Sequence, residues 1–288
     1  MLIVITASTH TFAQRTSLTI KGINAVPKEH FLPISSDDIP QSKRKTITIS
    51  NLEIPKTRPK DIITRHTGYS LLYDESHKQA KWVAYKLTRA ETHKVALRTN
   101  KFLPDPQVKT NSAHNSDYAG SGYDKGHLAP AGDMSWSSIT MAESFYYSNI
   151  SPQIPAFNRG IWKRLEGLVR KWAIEDNAVY VVTGPVLTNG LPTIGFDKVS
   201  VPKYFYKVIL DYAGPDSKGI GFIMPNARSG FPLQNYAVTI DSVEKFTGID
   251  FFSALPVEQE KQIEKSLCIP CWSWISTKTS NIKATARH

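Results

Sequence analysis

One stretch limits the fold of this chain more than any other: the twenty residues FNRGIWKRLEGLVRKWAIED, from Phe157 to Asp176. Ile161, Leu165, Leu168, Val169 and Trp172 recur there at helical spacing and draw one apolar stripe. A helix with a single apolar face has to lay that face on another layer. The segments on either side supply one. ESFYYSNISPQ has an aromatic centre that predicts a strand, and AVYVVTGPV predicts a buried strand ending in a turn. An α+β domain follows, with a central, mostly antiparallel sheet flanked by helices.

Further β signals fit the same plan. GYSLLYDESHKQAKWVAYKLT holds two strand-like pieces around a polar turn, and Val83, Tyr85 and Leu87 alternate with Ala84 and Lys86. VPKYFYKVILDYA reads as an alternating strand and GIGFIMPN as another. VTIDSVEKFTGIDFF predicts a short helix capped by Asp241 and reversed at Gly248. Residues 99–122 are rich in Pro, Asn, Ser and Gly and read as a long loop, a length that in a compact domain goes with function or disorder. The domain is expected over 61–258. It is preceded by a polar lead-in over 14–60 and followed by a charged helix and a frayed basic tail over 259–288. No internal repeat is visible.

With 35 Lys and Arg against 25 Asp and Glu, the formal net charge is +10. Such a balance suits a polyanionic partner, because each phosphate neutralised by Lys or Arg releases condensed counterions. Solubility alone is the competing explanation. The two cysteines, Cys268 and Cys271, lack the second pair that a structural zinc site needs. They either close a small disulfide loop in an oxidising compartment or pack as thiols, and neither has a catalytic part. MLIVITASTHTFA, residues 1–13, resembles the end of a secretory signal, although its positive leader is missing and its apolar run is short. Export to a secreted or periplasmic location is the expectation, with an ordinary N-terminal strand as the alternative. No run approaches the ~18 apolar residues of a membrane helix.

The segment from Asp124 to Glu166 carries the chemistry. Hydrolysis of a phosphodiester requires an activated water, charge stabilisation at phosphorus and help for the leaving oxygen. Histidine serves the first because its pKa lies near working pH, and magnesium serves the others while taking few protein oxygens. Asp124-Lys125-Gly126-His127 places a histidine beside a cation, with a glycine that permits close approach. Asn149 follows, then Asn158 and Glu166. On a regular helix beginning at Asn158, eight residues rise about 12 Å, so both side chains cannot grip one ion directly. Asn158 would ligate directly, and Glu166 would reach through water. The bland readings stand beside these: Asn158 as a helix cap, Glu166 as a solvated helix residue, Asn149 as a turn residue and His127 as a structural histidine.

These motifs resemble the DNA/RNA non-specific endonucleases, a family with the ββα-metal (His-Me finger) fold that includes mitochondrial endonuclease G. The likeness runs through DKGHLAPA at 124–131, SNISPQ at 148–153 and NRGIWKRLE at 158–166, and then TGP at 183–185, VPKYF at 201–205 and TGIDFF at 247–252. The resemblance implies a Mg²⁺-dependent endonuclease, with Mn²⁺ as a substitute, that cuts DNA and RNA without regard to sequence or sugar and leaves 5′-phosphates. His127 would be the general base on the β-hairpin, Asn158 the direct metal ligand and Glu166 the residue that orders metal-bound waters. Asn149 would fix the site and contact the phosphate region, and Asp124 would support the loop. The family carries Arg where this chain has Lys125, a point donor that cannot make a bidentate fork to phosphate. A second upstream cation would be Arg98 or Lys101. A homodimer is compatible with the sequence but not readable from it. The competing functions are a nuclease-fold protein that only binds nucleic acid, and a phosphodiesterase for a small substrate.

Overall fold

Val83, Tyr85 and Leu87 alternate with Trp82 and Ala84 along β3 (Gln79–Thr88), and both sets are buried, on opposite faces of one sheet. The computed structural model describes residues 49–110, 112–212 and 216–274. The signal-like start at 1–13, most of the lead-in and the tail at 276–288 lie outside the described residues.

Seven strands pair antiparallel in one sheet. In chain order they are β1 (Ile63–Arg65), β2 (Ser70–Asp74), β3, β6 (Ala178–Pro185), β9 (Tyr204–Asp211), β10 (Lys218–Pro225) and β11 (Ala237–Val238), and this is also their order across the sheet. Two short hairpins stand apart, β4 (Asp124–His127) with β5 (Ile150–Gln153) and β7 (Thr193–Ile194) with β8 (Val199–Ser200). The helices are α1 (Asn115–Tyr118), α2 (Ser138–Glu143), α3 (Lys163–Glu175), α4 (Ile240–Thr247) and α5 (Val257–Lys265).

The apolar stripe does what its spacing predicts. Leu165, Leu168, Val169 and Trp172 of α3 pack with Val181, Ile209 and Phe222 on one face of the sheet. On the other face Val182, Val208 and Leu210 meet Ile240 and Val243 of α4 and Ile263 of α5. Gly221 of β10 lets α4 come down on that face, since a Cβ there would lie 2.5 Å from a Val243 methyl. Both sheet faces are therefore dry, and β9 is buried along seven of its eight residues.

Several sequence expectations need correction. The alternating strand VPKYFYKVILDYA hides its lysine: Lys207 lies on the α3 side with Phe205 and Ile209, at 0% exposure, because α3 covers the face that alternation assigns to solvent. The aromatic centre of ESFYYSNISPQ is not strand. Tyr147–Asn149 is one 3-10 turn, closed by the Asn149 N–H donating to the Tyr146 carbonyl, and pairing starts only at Ile150. Thr239, not Asp241, caps α4, its hydroxyl accepting from the Ser242 N–H, while Gly248 ends that helix in the left-handed conformation as expected. The end of the lead-in belongs to the domain, for Leu52 is fully buried in the second core and Lys56 pairs with Asp250. The loop over 99–122 is ordered by packing, with Asp105 buried against His66 and Ser148. Cys268 and Cys271 are joined as a disulfide.

The glycine of the β4 strand is required by its neighbour across the hairpin. A Cβ at Gly126 would meet the buried Gln153 side chain at 2.2 Å, so any side chain there has to push β4 and β5 apart. Gly126→Ala should cost about 1–3 kcal/mol through overpacking, read as a lower urea midpoint at unchanged slope. An unchanged midpoint would show that Gln153 swings away freely.

Candidate active site

His127 ends β4, and everything around it fixes the ring. Asn149 is fully buried and works as a clamp: its amide oxygen accepts from the Ala129 N–H at 2.8 Å, and its amide nitrogen donates to the carbonyls of Ala129 and Ser144 at 2.9 and 2.8 Å. The indole of Trp162 donates to the His127 carbonyl at 3.4 Å. The imidazole itself lies between Phe145 and Phe102, with centroids at 4.8 and 5.6 Å. Burial among these rings, reinforced by the Arg98 charge, pushes its pKa down to about 3 against the pull of a hydrogen bond to the Lys125 backbone. A neutral imidazole results, and its buried Nε2 has no hydrogen-bond partner.

That ring borders a cleft of about 440 Å³ shared with Arg98, Lys125, Asn158, Arg159, Lys163, Glu166 and Arg170. The β4–β5 hairpin thus meets the start of α3 at one opening, where His127, Asn158 and Glu166 come together. Asn158 does not cap a helix. Phe157–Trp162 forms a wide π-type turn, with Gly160 outside helical geometry at φ −103° and ψ −110°, and no capping hydrogen bond is made at its start. The regular helix begins only at Lys163, which removes the premise that a straight helix separates Asn158 from Glu166. The Asn158 side chain instead donates from its amide nitrogen to Asp124 at 2.9 Å. This leaves the amide oxygen, with its lone pairs, as the Asn158 atom able to act as a ligand.

Asp124 supports the site, as expected, by a specific bond set. Its carboxylate accepts from Asn158 and, in a two-pronged pair, from Arg159 at 2.8 and 2.6 Å. Burial disfavours its charge, but the hydrogen bonds from Arg159 and Asn158 outweigh that and hold its pKa below the usual carboxylate value. Glu166 is half-buried on the first turn of α3. Burial pushes its pKa up, and the Lys207 ammonium pulls it back down. Lys207 has no hydrogen-bond partner and lies over the Trp162 ring at 4.7 Å; burial lowers its pKa, with Glu166 and Asp133 acting the other way. Arg170 is held by the fully buried carboxylate of Asp133 at 2.5 Å, and Asp133 also accepts from the Tyr85 hydroxyl.

Of the two upstream cations, Arg98 reaches the cleft. Its guanidinium rests over Phe145 at 4.9 Å, where desolvation lowers its pKa. Lys101 is exposed and is not among the lining residues, so its assignment is corrected. Lys125 lies over Phe102 at 4.6 Å and contacts the Asn115 amide oxygen. The phosphate contact expected of Asn149 is also corrected: its amide is fully used inside the protein, and it positions the strand after His127. Arg159, Asp133, Arg170 and Lys207 escape a sequence reading. Arg159 stands next to Asn158, but its partner lies 35 residues away.

The lining supports a hard divalent ion and an anion together. An amide oxygen and a carboxylate face the cleft from two turns, and among the lining residues five cations oppose that one carboxylate.

A histidine-bearing β-hairpin set against a helix whose entry turn presents an asparagine defines the ββα-metal nuclease fold. The chain belongs to the DNA/RNA non-specific endonuclease family, whose sequence pattern matches residues 50–258. It is 40% identical to the mitochondrial nuclease EXOG of Danio rerio over 67% of this chain and 62% of that one. It is 38% identical to nuclease C1 of Cunninghamella echinulata var. echinulata over 69% of this chain and 85% of that one. The crystal structure of the EndoG/EndoGI complex holds a chain similar in fold at a TM-score of 0.67 and 32% identity, covering 73% of this chain and 92% of that one. The chain spans 56–62% of the length of the EXOG relatives.

If Asp124 orients the Asn158 amide, Asp124→Ala should weaken divalent-ion binding about 10–100-fold, the usual effect of losing an outer hydrogen-bond partner. Calorimetric titration with Mn²⁺ measures this. Equal affinity in the variant and the parent would remove Asp124 from that task.

Proposed function

We propose that this protein is a divalent-ion-dependent endonuclease that hydrolyses DNA and RNA without regard to sequence, with His127 as the general base. One observation carries the reading: His127, whose buried Nε2 has no hydrogen-bond partner, lines the same cleft as Asn158 and Glu166. The family and its nuclease relatives support the substrate class.

His127 Nε2 would take the proton of the attacking water. Its aromatic surroundings keep the ring in the unprotonated form that a general base starts from. Asn158 would hold the ion directly and Glu166 through water, Mg²⁺ being the expected species and Mn²⁺ a substitute; such an ion supplies Lewis-acid stabilisation at the phosphate and the leaving oxygen. Arg98 and Lys125 would bind the phosphate, and both are held over aromatic rings, which keeps their charge at the cleft. Lys125 gives a point charge where the family places a fork, so its contact is monodentate. An open cleft lined by five cations favours contact with the phosphate backbone, hence tolerance of sequence and sugar. The Cys268–Cys271 disulfide supports work in an oxidising compartment, in keeping with export.

His127→Ala should abolish plasmid nicking, a loss of at least about 10²–10⁴-fold for a general base, with DNA affinity kept. Asn158→Ala should lose rate and metal response together, and EDTA should stop the parent enzyme. Binding should also weaken steeply with salt, as phosphate contacts require. Turnover that persists in His127→Ala, or in EDTA, overturns the assignment. Cleavage of small phosphodiesters with flat salt dependence would favour the small-substrate alternative.

A further inference from the structure

A second group of acidic side chains lies away from the cleft, on the opposite face of the sheet. Asp241 and Glu244 are three residues apart on one side of α4, and Glu264 is in the last turn of α5, which packs against it. One carboxylate oxygen from each falls within 4.8 Å of the other two. Oxygens so spaced can surround a single ion near the ~2.3–2.6 Å of calcium–oxygen bonds.

Glu264 makes this more than a cluster of acids. It is only 6% exposed, and its Oε1 is buried with no hydrogen-bond partner. A buried, unpaired carboxylate oxygen is costly, so something has to neutralise it. Among the described residues no cation is paired with it. The charges that act on Glu264 are Glu244, Glu260, Asp241 and Asp250, and those on Glu244 are Asp250, Asp241 and Glu260, all negative. Lys56 is committed to Asp250 and Lys261 to Glu258. Glu244 is already oriented, one oxygen accepting the Phe251 N–H at 2.8 Å, which leaves the other for a ligand. The group His114, Asp117 and Asp197 offers a contrast. There the imidazole meets Asp197 at 2.9 Å, and both Asp117 oxygens accept backbone N–H groups.

We propose that Asp241, Glu244 and Glu264 form a structural site for one calcium-class divalent cation that clamps α4 to α5. The donors are all oxygen, with neither imidazole nor thiolate, which favours a hard ion. Three protein carboxylates suit calcium, which accepts a flexible cage, better than magnesium, which keeps most of its waters. Burial and the neighbouring carboxylates push both Glu244 and Glu264 above the ordinary carboxylate value, and an ion held between them would relieve that crowding.

The test uses the full chain, stripped with chelator, carrying Asn158→Ala so that ion binding at the cleft does not contribute. At pH 8, Ca²⁺ at about a hundred times its dissociation constant should raise the thermal midpoint by about 5–10 °C. Glu264→Gln should abolish that shift and, without ion, should unfold at a higher midpoint than its parent at pH 8. Asp241→Asn, at a half-exposed position, should also remove the calcium response and serves if the buried variant fails to fold. A midpoint that Ca²⁺ leaves unmoved up to millimolar levels, while acidification to pH 6 restores it, would mean that a shared proton holds the cluster, and the proposal is then overturned. A shift retained in both carboxylate variants overturns it equally.

Discussion

The carboxylate of Asp124 joins the two halves of the candidate site. It sits on the hairpin three residues before His127 and reaches across to Asn158 and Arg159 on the turn that enters α3. Without that bridge the hairpin and the helix would keep only packing and the hydrogen bond from Trp162 to the His127 carbonyl, and the amide of Asn158 could rotate. With it, the direction of one amide oxygen is set from the strand that also sets the imidazole. Asn149 does the matching work from within, fastening the residues just after His127 to the turn that follows α2.

Around this junction the protein pays for dryness with charge pairs. The imidazole is walled by two phenylalanines, Arg98 and Lys125 are stacked on aromatic rings, and Arg159 and Arg170 are hydrogen-bonded to carboxylates. Lys207 and Glu166 lie lower still, each perturbed by burial and each restrained by the other. A preorganised polar floor of this kind is suited to charge that develops during a reaction, because the groups need not reorganise.

The parts readable in the sequence are those governed by short-range periodicity or by a tight motif. The stripe from Leu165 to Trp172 specified both a helix and its buried face, and Val83, Tyr85 and Leu87 specified a strand. The motif residues His127, Asn158 and Glu166 do converge on one cleft. What stayed hidden depended on contacts distant in the chain. An asparagine ahead of an apolar helix looks like a cap, and only the carboxylate of Asp124 shows that its amide is used elsewhere. Lys207 in an alternating strand looks solvated until α3 is laid over it. Asn149 looks available to a ligand until its three internal hydrogen bonds are seen. Thr239 took the capping place from Asp241 because the helix starts two residues earlier than its charge pattern suggests.

The parity of β9 has a further consequence. Along this strand Phe205, Lys207 and Ile209 face α3, while Tyr206, Val208 and Leu210 face α4 and α5. A slip of one residue would turn the ammonium of Lys207 toward the side chains of Ile240, Val243 and Ile263 and leave Glu166 opposite a hydrocarbon or phenol side chain. The strand therefore has an electrostatic lock on its alignment in addition to its hydrophobic pattern. A misaligned intermediate would be rejected during folding by the same lysine that, correctly seated, underlies the cleft.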